Sequence, residues 1–144
     1  MRIVFDTNVL ARAHRFSHGP ARRGLLYVAT GSDVLILSQY LLQELRRVLT
    51  YPRLLRRSGL TPLDVSEYLD YLAHVSTLVR PVSVPENILR DQADEPVLGT
   101  ALAGNADVIC TRDADFFAEE VQRFCAARGI QVLTDLDLIR SLRL

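Results

Sequence analysis

Short runs of apolar, mostly branched residues alternate along this chain with longer segments of helical spacing. Three of these runs are Arg2–Phe5, Val34–Leu37 and Val108–Thr111, and polar residues do not interrupt them. Strands buried on both faces have this appearance, whereas a strand with one wet face alternates between apolar and polar residues. The pattern therefore predicts an α/β fold, in which helices cover both faces of a parallel sheet.

The other segments complete a sheet of about five strands. Strands are predicted at 2–5, 34–37, 78–84, 108–111 and 130–133, and helices at 21–30, 39–49, 62–76, 95–104, 116–128 and 135–142. Ser38 and Thr61 are suited to cap the helices that they precede, and Pro81 would place the third strand at an edge of the sheet. Residues 85–93 are predicted to form a loop. With 144 residues and no repeat or linker, the chain is expected to form a single domain, 1–144.

Several features exclude a membrane-bound or secreted protein. No apolar run approaches the ~20 residues of a membrane helix. Only three apolar residues separate Arg2 from Asp6, which predicts no signal peptide. The two cysteines form no CxxC pair, and the three histidines match no zinc-binding spacing. We therefore expect a cytoplasmic protein with no membrane contact and no structural disulfide.

The charge of the chain is unevenly distributed, although the formal net charge is zero. Residues 1–57 carry ten arginines against three acids, a formal charge of +7, and residues 58–144 carry seven arginines against fourteen acids, a charge of −7. Every basic residue is arginine, whose planar donors suit phosphate. This bias has two interpretations, a solvated basic face or a surface that holds a polyanion. Candidates for the second are Arg12, Arg15, Arg46 and Arg47.

Two aspartates follow predicted strands at equivalent places. Asp6 comes directly after the first strand, and Asp113 lies two residues beyond the strand that ends at Thr111. In open α/β sheets, ligands bind beyond the carboxyl ends of the strands. An aspartate after a strand is also a common turn residue or helix cap. Two at equivalent positions favour a shared site.

Three further acids lie on helices near that edge. Glu44 falls at the border of the apolar stripe of its helix, where it is either a surface residue or a carboxylate aimed over the sheet. Asp94 extends the inward face of the helix that follows it, and its alternative role is to cap that helix. Glu95 points about 100° away from Asp94, which suits an acid that complements the helix dipole.

Four carboxylates at one edge, Asp6, Glu44, Asp94 and Asp113, would repel one another unless a cation lay between them. Oxygen ligands suit a hard divalent ion, Mg²⁺ or Mn²⁺. Such an ion activates water and stabilises charge on a phosphate under attack, which points to phosphodiester hydrolysis. No Walker loop, GxGxxG or GxSxG sequence is present, which argues against nucleotide triphosphate, dinucleotide and acyl-transfer chemistry.

The arrangement of four motifs resembles that of the PIN domain, and in particular small prokaryotic proteins assigned as toxin–antitoxin nucleases. The motifs are Asp6-Thr7-Asn8 after the first strand, Ser38 with Glu44, Asp91-Gln92-Ala93-Asp94, and Thr111-Arg112-Asp113-Ala114-Asp115. They span nearly the whole chain in the family's order. Each motif is weak alone, and together they are fairly specific.

The resemblance implies a three-layer α/β/α sandwich with a central parallel sheet, and a ribonuclease that cleaves RNA. It implies homodimerisation and often inhibition by a small antitoxin protein. It also assigns roles to particular residues: metal-binding acids Asp6, Glu44, Asp94 and Asp113, polar supports Asn8, Ser38 and Thr111, and the further acids Asp115 and Glu95.

The chain departs from the family pattern at two places. The branch often has an additional acid within the motif that here reads Asp91-Gln92-Ala93-Asp94, so either Asp94 or Glu95 could be the third acid. Arg112 stands where the family often has glycine, which puts a cation beside the site. It could contact phosphate in RNA or weaken metal binding.

The leading interpretation is a metal-dependent endoribonuclease that cleaves single-stranded RNA, and two other functions remain as alternatives. One is a non-catalytic PIN-like module that binds RNA or protein, and the presence of all four acids counts against it. The other is a receiver-like or small-molecule-binding α/β domain. That class would need a lysine near its last strand, and the chain has no lysine.

Overall fold

The computed structural model describes residues 1–85 and 88–144 and has a five-stranded, all-parallel sheet at its centre. The spatial order of the strands is β3-β2-β1-β4-β5. The strands are β1 (Arg2–Phe5), β2 (Val34–Leu37), β3 (Ser76–Leu78), β4 (Val108–Cys110) and β5 (Gln131–Leu133). Helices cover the sheet in a three-layer α/β/α arrangement, which confirms the predicted fold class.

Eight α-helices connect and flank these strands within the described part of the chain. They are α1 (Thr7–Leu10), α2 (Pro20–Thr30), α3 (Gln39–Leu49), α4 (Pro52–Ser58), α5 (Pro62–Val75), α6 (Glu95–Ala103), α7 (Glu119–Ala126) and α8 (Asp135–Ser141). Short 3₁₀ turns at Gln92–Asp94 and Ala114–Phe117 precede α6 and α7. Among the described helices, none is both long enough and apolar enough to cross a bilayer.

The order in which the chain adds strands reverses at the centre of the sheet. The chain runs from β1 outward through β2 to β3, and then returns to place β4 on the other side of β1. Ile3 is in register with Leu35 of β2 and with Val108 of β4. The carboxyl ends of β1 and β4 therefore lie side by side at the switch point, where open α/β sheets form their ligand crevices.

The apolar runs of the sequence form the core. Ile3, Val4 and Phe5 are fully buried, as are the central residues of β2 and β4. Next to the sheet, α2 packs closely on α8. A β-carbon added at Gly24 of α2 would lie in van der Waals contact with the side chains of Leu138 and Ile139 of α8. Burial on both faces explains why the strands lack polar alternation.

Helix-capping residues mark the helix starts that the sequence predicts. The Ser38 hydroxyl accepts a hydrogen bond from the Leu41 amide at 3.3 Å. Thr61 and Asp64 form a capping box at the start of α5, in which each side chain accepts from the other residue's amide. These caps confirm both predicted starts.

The third strand is not where the sequence predicts it. The prediction of a strand at 78–84 is wrong, because α5 ends at Val75 and the chain pairs with β2 immediately, at Ser76–Leu78. Pro81, which cannot donate a ladder hydrogen bond, lies beyond the strand. The next residue, Val82, instead donates from its amide to the Gly99 carbonyl at 3.2 Å and packs against α6. The predicted edge position is confirmed.

The structure differs from the sequence prediction at three further places. Pro52 begins the additional helix α4, because its fixed φ and missing N–H suit a first helical position. The helix predicted at 116–128 begins only at Glu119, after a 3₁₀ turn. Of the loop predicted at 85–93, residues 86–87 lie outside the described residues, and Gln92 and Ala93 belong to the 3₁₀ turn that precedes α6.

Candidate metal centre

Asp6 lies at the carboxyl end of β1, 4% exposed, and three donors hold its carboxylate. Thr7 donates its amide to Oδ1 at 2.7 Å, Thr111 its hydroxyl to Oδ2 at 2.7 Å, and Asn8 its side-chain amide to Oδ2 at 3.2 Å. Burial raises the pKa of Asp6 above its ordinary value, and the hydrogen bonds from Thr111 and Thr7 oppose that shift. Asn8 and Thr111 thus both contact the Asp6 carboxylate directly.

Asp113 is placed beside Asp6 by the turn after β4. Its amide donates to the Thr111 hydroxyl at 3.0 Å, and that hydroxyl in turn donates to Asp6. The Asp113 Oδ1 accepts from the Asp115 amide at 2.9 Å, which forms the cap of the 3₁₀ turn. Asp113 therefore caps the turn and also lies beside Asp6.

Helix capping by its side chain does not explain the burial of Asp94. It is 8% exposed at the start of α6, yet its side chain does not cap that helix. Its Oδ2 is buried, and no donor in the described chain reaches it. Burial, a hydrogen bond shared with Asp113 and the charges of Asp113, Asp6 and Asp91 together raise the pKa of Asp94 to about 8.

Three carboxylates converge at this point. Asp94, Asp113 and Asp115 each offer an oxygen, and these oxygens lie within 4.8 Å of one another. Asp6 adjoins them, since it lines the same cleft as Asp94 and Asp113 and its charge raises the pKa of Asp94. Asp115, expected only as a further acid, therefore lies closer to the centre of the cluster than the sequence suggests.

Glu44 lines the cleft but does not join this group. Its carboxylate forms a bidentate ion pair with Arg47, at 2.6 Å from Nη2 and 3.1 Å from Nε. Both side chains are substantially exposed. The prediction that Glu44 lies at the border of its helix's apolar stripe fits this half-exposed position, and Arg47 holds it at the rim of the cleft.

The cleft between these residues has a volume of about 270 Å³. Its walls come from the ends of β1 and β4, from α3 and from the turn before α6. Its lining includes Asp6, Asn8, Tyr40, Glu44, Arg47, Asp94 and Asp113. Tyr40, 59% exposed, stands at its mouth.

The remaining predicted residues are dispersed around the cleft. The Ser38 hydroxyl is buried and accepts from Thr100, so it joins α3 to α6 rather than reaching the acids. Glu95 is half-buried in the first turn of α6, outside the acid cluster that Asp94 joins.

The five predicted arginines have different environments. Arg15 pairs with Asp64 and Glu67, Arg47 with Glu44, and Arg112 with Asp135 at 3.4 Å. Arg46 is exposed and forms no ion pair with the described residues. Arg12 lines a second cavity beyond α1. Three of the five arginines are therefore paired with acids of this chain.

Sequence reasoning missed Thr7, Tyr40 and Asp135. Thr7 is the first residue of α1, immediately after Asp6, and its amide contact could have been inferred from the Asp-Thr-Asn sequence at the helix start. Tyr40 and Asp135 carry no local signal, because the first shares the cleft only through the placement of α3, and the second meets Arg112 across 23 residues of sequence.

The donor set fits a divalent cation. The centre offers only oxygen ligands, which Mg²⁺ and Mn²⁺ prefer. The buried Asp94 Oδ2 without a donor is the atom that a cation would satisfy. Burial and the neighbouring carboxylates raise the pKa of Asp94, and a bound cation would offset both effects.

Comparison with known proteins agrees with this geometry. No curated protein matches the chain. A family model described as a PIN domain matches residues 2–115, a span that contains β1 to β4 and every acid of the cleft. Since that match covers most of the chain and the sheet and acidic cleft accompany it, the chain belongs to the PIN-domain family, a group with metal-dependent nuclease character.

Proposed function

We propose that this protein is a divalent-metal-dependent endoribonuclease that hydrolyses phosphodiester bonds in single-stranded RNA. One observation carries the proposal: the oxygens of Asp94, Asp113 and Asp115 converge within 4.8 Å, beside a cleft that Asp6, Asp94 and Asp113 line. Family membership supports nuclease chemistry, and fold alone would not.

Asp6, Asp94 and Asp113 would hold Mg²⁺ or Mn²⁺, and Asp115 would complete the set. A bound ion would lower the pKa of a water molecule and stabilise charge on the scissile phosphate. Thr7, Asn8 and Thr111 orient Asp6 through their hydrogen bonds, so that its carboxylate cannot rotate away from the cluster. Such outer partners tune metal sites. Glu44, at the rim, would take part only after release from Arg47.

The direct test is cleavage of an unstructured RNA by purified protein. We expect cleavage with Mn²⁺ or Mg²⁺, none with EDTA, and none with Asp113→Asn protein. Asp70→Asn is the matched control, since Asp70 is an exposed acid of α5 outside the cleft. Cleavage that persists in EDTA, or equally in the Asp113 variant, would show that the acids are not the catalytic centre.

A second candidate function, a non-catalytic PIN-like module that binds RNA or protein, is favoured by the Glu44–Arg47 ion pair. In that pair, Arg47 binds Glu44, which is one of the four acids that the resemblance assigns to the metal. Under this alternative, Arg47→Ala frees Glu44 without producing activity. Under the proposed function, freeing Glu44 leaves metal-dependent cleavage intact or increases it.

The arginines of the N-terminal half are expected to differ in their contribution to RNA binding. Arg46 is exposed on α3 with no ion pair among the described residues, whereas Arg15 is held by Asp64 and Glu67. We expect Arg46→Ala to flatten the dependence of log affinity on log salt by ~0.7, the value for one phosphate contact on a single strand. Arg15→Ala is the control and should change the slope less. Equal slopes for wild type and Arg46→Ala would assign Arg46 to a solvated face.

The toxin role follows only from the resemblance. We propose a homodimeric, cytoplasmic toxin inhibited by a small cognate antitoxin protein. A short adjacent reading frame encoding a DNA-binding protein with a disordered tail would support this, and co-purification of the two chains would test it.

A further inference from the structure

A groove of about 350 Å³ adjoins the acidic cleft. Tyr40, Gln92 and Pro96 line both spaces, which makes the groove continuous with the cleft. Its volume falls within the ~300–1,000 Å³ of small-molecule sites. One unit of a chain-like ligand can therefore occupy the groove while the next unit lies at the acids.

Tyr40 lies where the two spaces meet. It is in the first turn of α3, directly beyond β2, and its side chain is exposed. Glu44 and Arg47 follow on the same face of the helix and line the cleft too. A large part of the Tyr40 ring is thus open to a ligand that reaches from the cleft into the groove.

The rest of the apolar lining comes from Pro81, Val82 and Pro96. The Val82 amide donates to the Gly99 carbonyl of α6 at 3.2 Å. A β-carbon added at Gly99 would collide with the Val82 carbonyl oxygen, so the close approach of this segment to α6 requires glycine. Backbone packing against α6 therefore holds this part of the groove in place.

The lining suits a nucleobase better than it suits a phosphate. A base has flat apolar faces, which the tyrosine, proline and valine side chains can cover, and polar edges. The groove also has polar side chains for those edges: Ser83, Gln92 and Glu95. Among the described residues, its lining includes this one acid and no cation, so a phosphate would meet only negative charge there.

We propose that the groove holds a base of the RNA next to the scissile phosphate, stacked on the ring of Tyr40. Aromatic side chains bind the bases of single-stranded RNA in this way, and the stacking tolerates any base because every base has a flat face. A paired base is already stacked within its duplex and does not reach the ring. The inference rests on the proposed function and deepens it, because the acid cluster alone cannot distinguish a single strand from a duplex.

The test measures binding in EDTA, so that it does not depend on catalysis. The probe is a short oligouridine RNA with one 2-aminopurine, a fluorescent base whose emission falls when it stacks on an aromatic ring. We expect the wild type to quench this emission on binding. Tyr40→Ala protein should lose the quenching and bind about tenfold more weakly, near the lower end of the range for one stacked base. Tyr40→Phe should retain both properties, because it keeps the ring.

Tyr27 provides the matched control, since it is an exposed tyrosine of α2 that lines neither the cleft nor the groove. Tyr27→Ala should bind and quench like the wild type. An abasic unit in place of 2-aminopurine should weaken wild-type binding about tenfold and leave binding by Tyr40→Ala unchanged, because that variant has already lost the stacking partner. The salt slope should be equal in wild type and Tyr40→Ala, since no charge is removed.

Four results would overturn the inference: no quenching by the wild type, quenching that survives in Tyr40→Ala protein, a Tyr40→Phe protein that behaves like Tyr40→Ala, or an abasic probe that the wild type binds as tightly as the intact one. Each can occur while metal-dependent cleavage is intact. Conversely, a protein that binds and quenches as expected but never cleaves RNA would refute the proposed function and leave the role of Tyr40 standing.

Discussion

Asp94→Asn protein is expected to lose metal-dependent RNA cleavage, whereas Glu95→Gln protein should retain most of it. Asp94 is buried in the acid cluster, and its Oδ2 has no donor in the described chain. Glu95, one residue later, is half-buried and lies outside the acid cluster. Losing an outer partner of a metal site typically costs 10–100-fold, so losing a direct ligand should cost about 100-fold or more.

Initial rates with saturating Mn²⁺ for the two variants and the wild type provide the measurement. The Gln substitution keeps the length of the side chain and removes only its charge, so the two variants are comparable. A Glu95→Gln protein that loses activity while Asp94→Asn keeps it would assign the third ligand to Glu95. That result would also mean that the burial of Asp94 serves packing alone.

The metal-free protein should lose stability as the pH rises from about 4 to about 8. The pKa of Asp94 is 3.8 in the unfolded chain and about 8 in the folded protein, mainly because of burial. Between these values the folded state keeps a proton that the unfolded state has released, so the free energy of unfolding falls with rising pH. Below about pH 4 and above about pH 8, Asp94 adds no further pH dependence to the free energy of unfolding.

Melting temperatures in EDTA across this pH range test the expectation. Asp94→Asn should melt a few degrees higher than the wild type near neutral pH and lack that part of the pH dependence, because an amide needs no proton to lie beside Asp113. Asp6→Asn is the contrasting variant. It disturbs a carboxylate that already accepts hydrogen bonds from Thr7, Asn8 and Thr111, so we expect little gain or a loss.

Added Mn²⁺ should raise the melting temperature of the wild type by mass action and that of Asp94→Asn much less. If Asp94→Asn melts below the wild type at neutral pH and Mn²⁺ shifts neither protein, the cluster is not a metal site.

The sequence alone determined the architecture and the chemical type of the site. Apolar runs at 2–5, 34–37 and 108–111 predicted buried parallel strands, because only burial on both faces permits such runs. The positions of Asp6 and Asp113 after two of these strands placed them at one edge of the sheet. Capping at Ser38 and Thr61 was also readable, since it depends on neighbours within one turn.

Tertiary structure decided what depends on distant residues. Whether Asp94 is a cap or a buried member of the cluster could not be read locally, because both roles fit the start of a helix. The ion pair of Glu44 with Arg47 and the position of β3 were equally undetermined, since each has a competing local alternative. Asp135 meets Arg112 only because β4 and β5 are adjacent in the sheet. Local propensity records which conformations a segment can adopt, whereas the desolvation and charge that shape the site come from residues brought together by the fold.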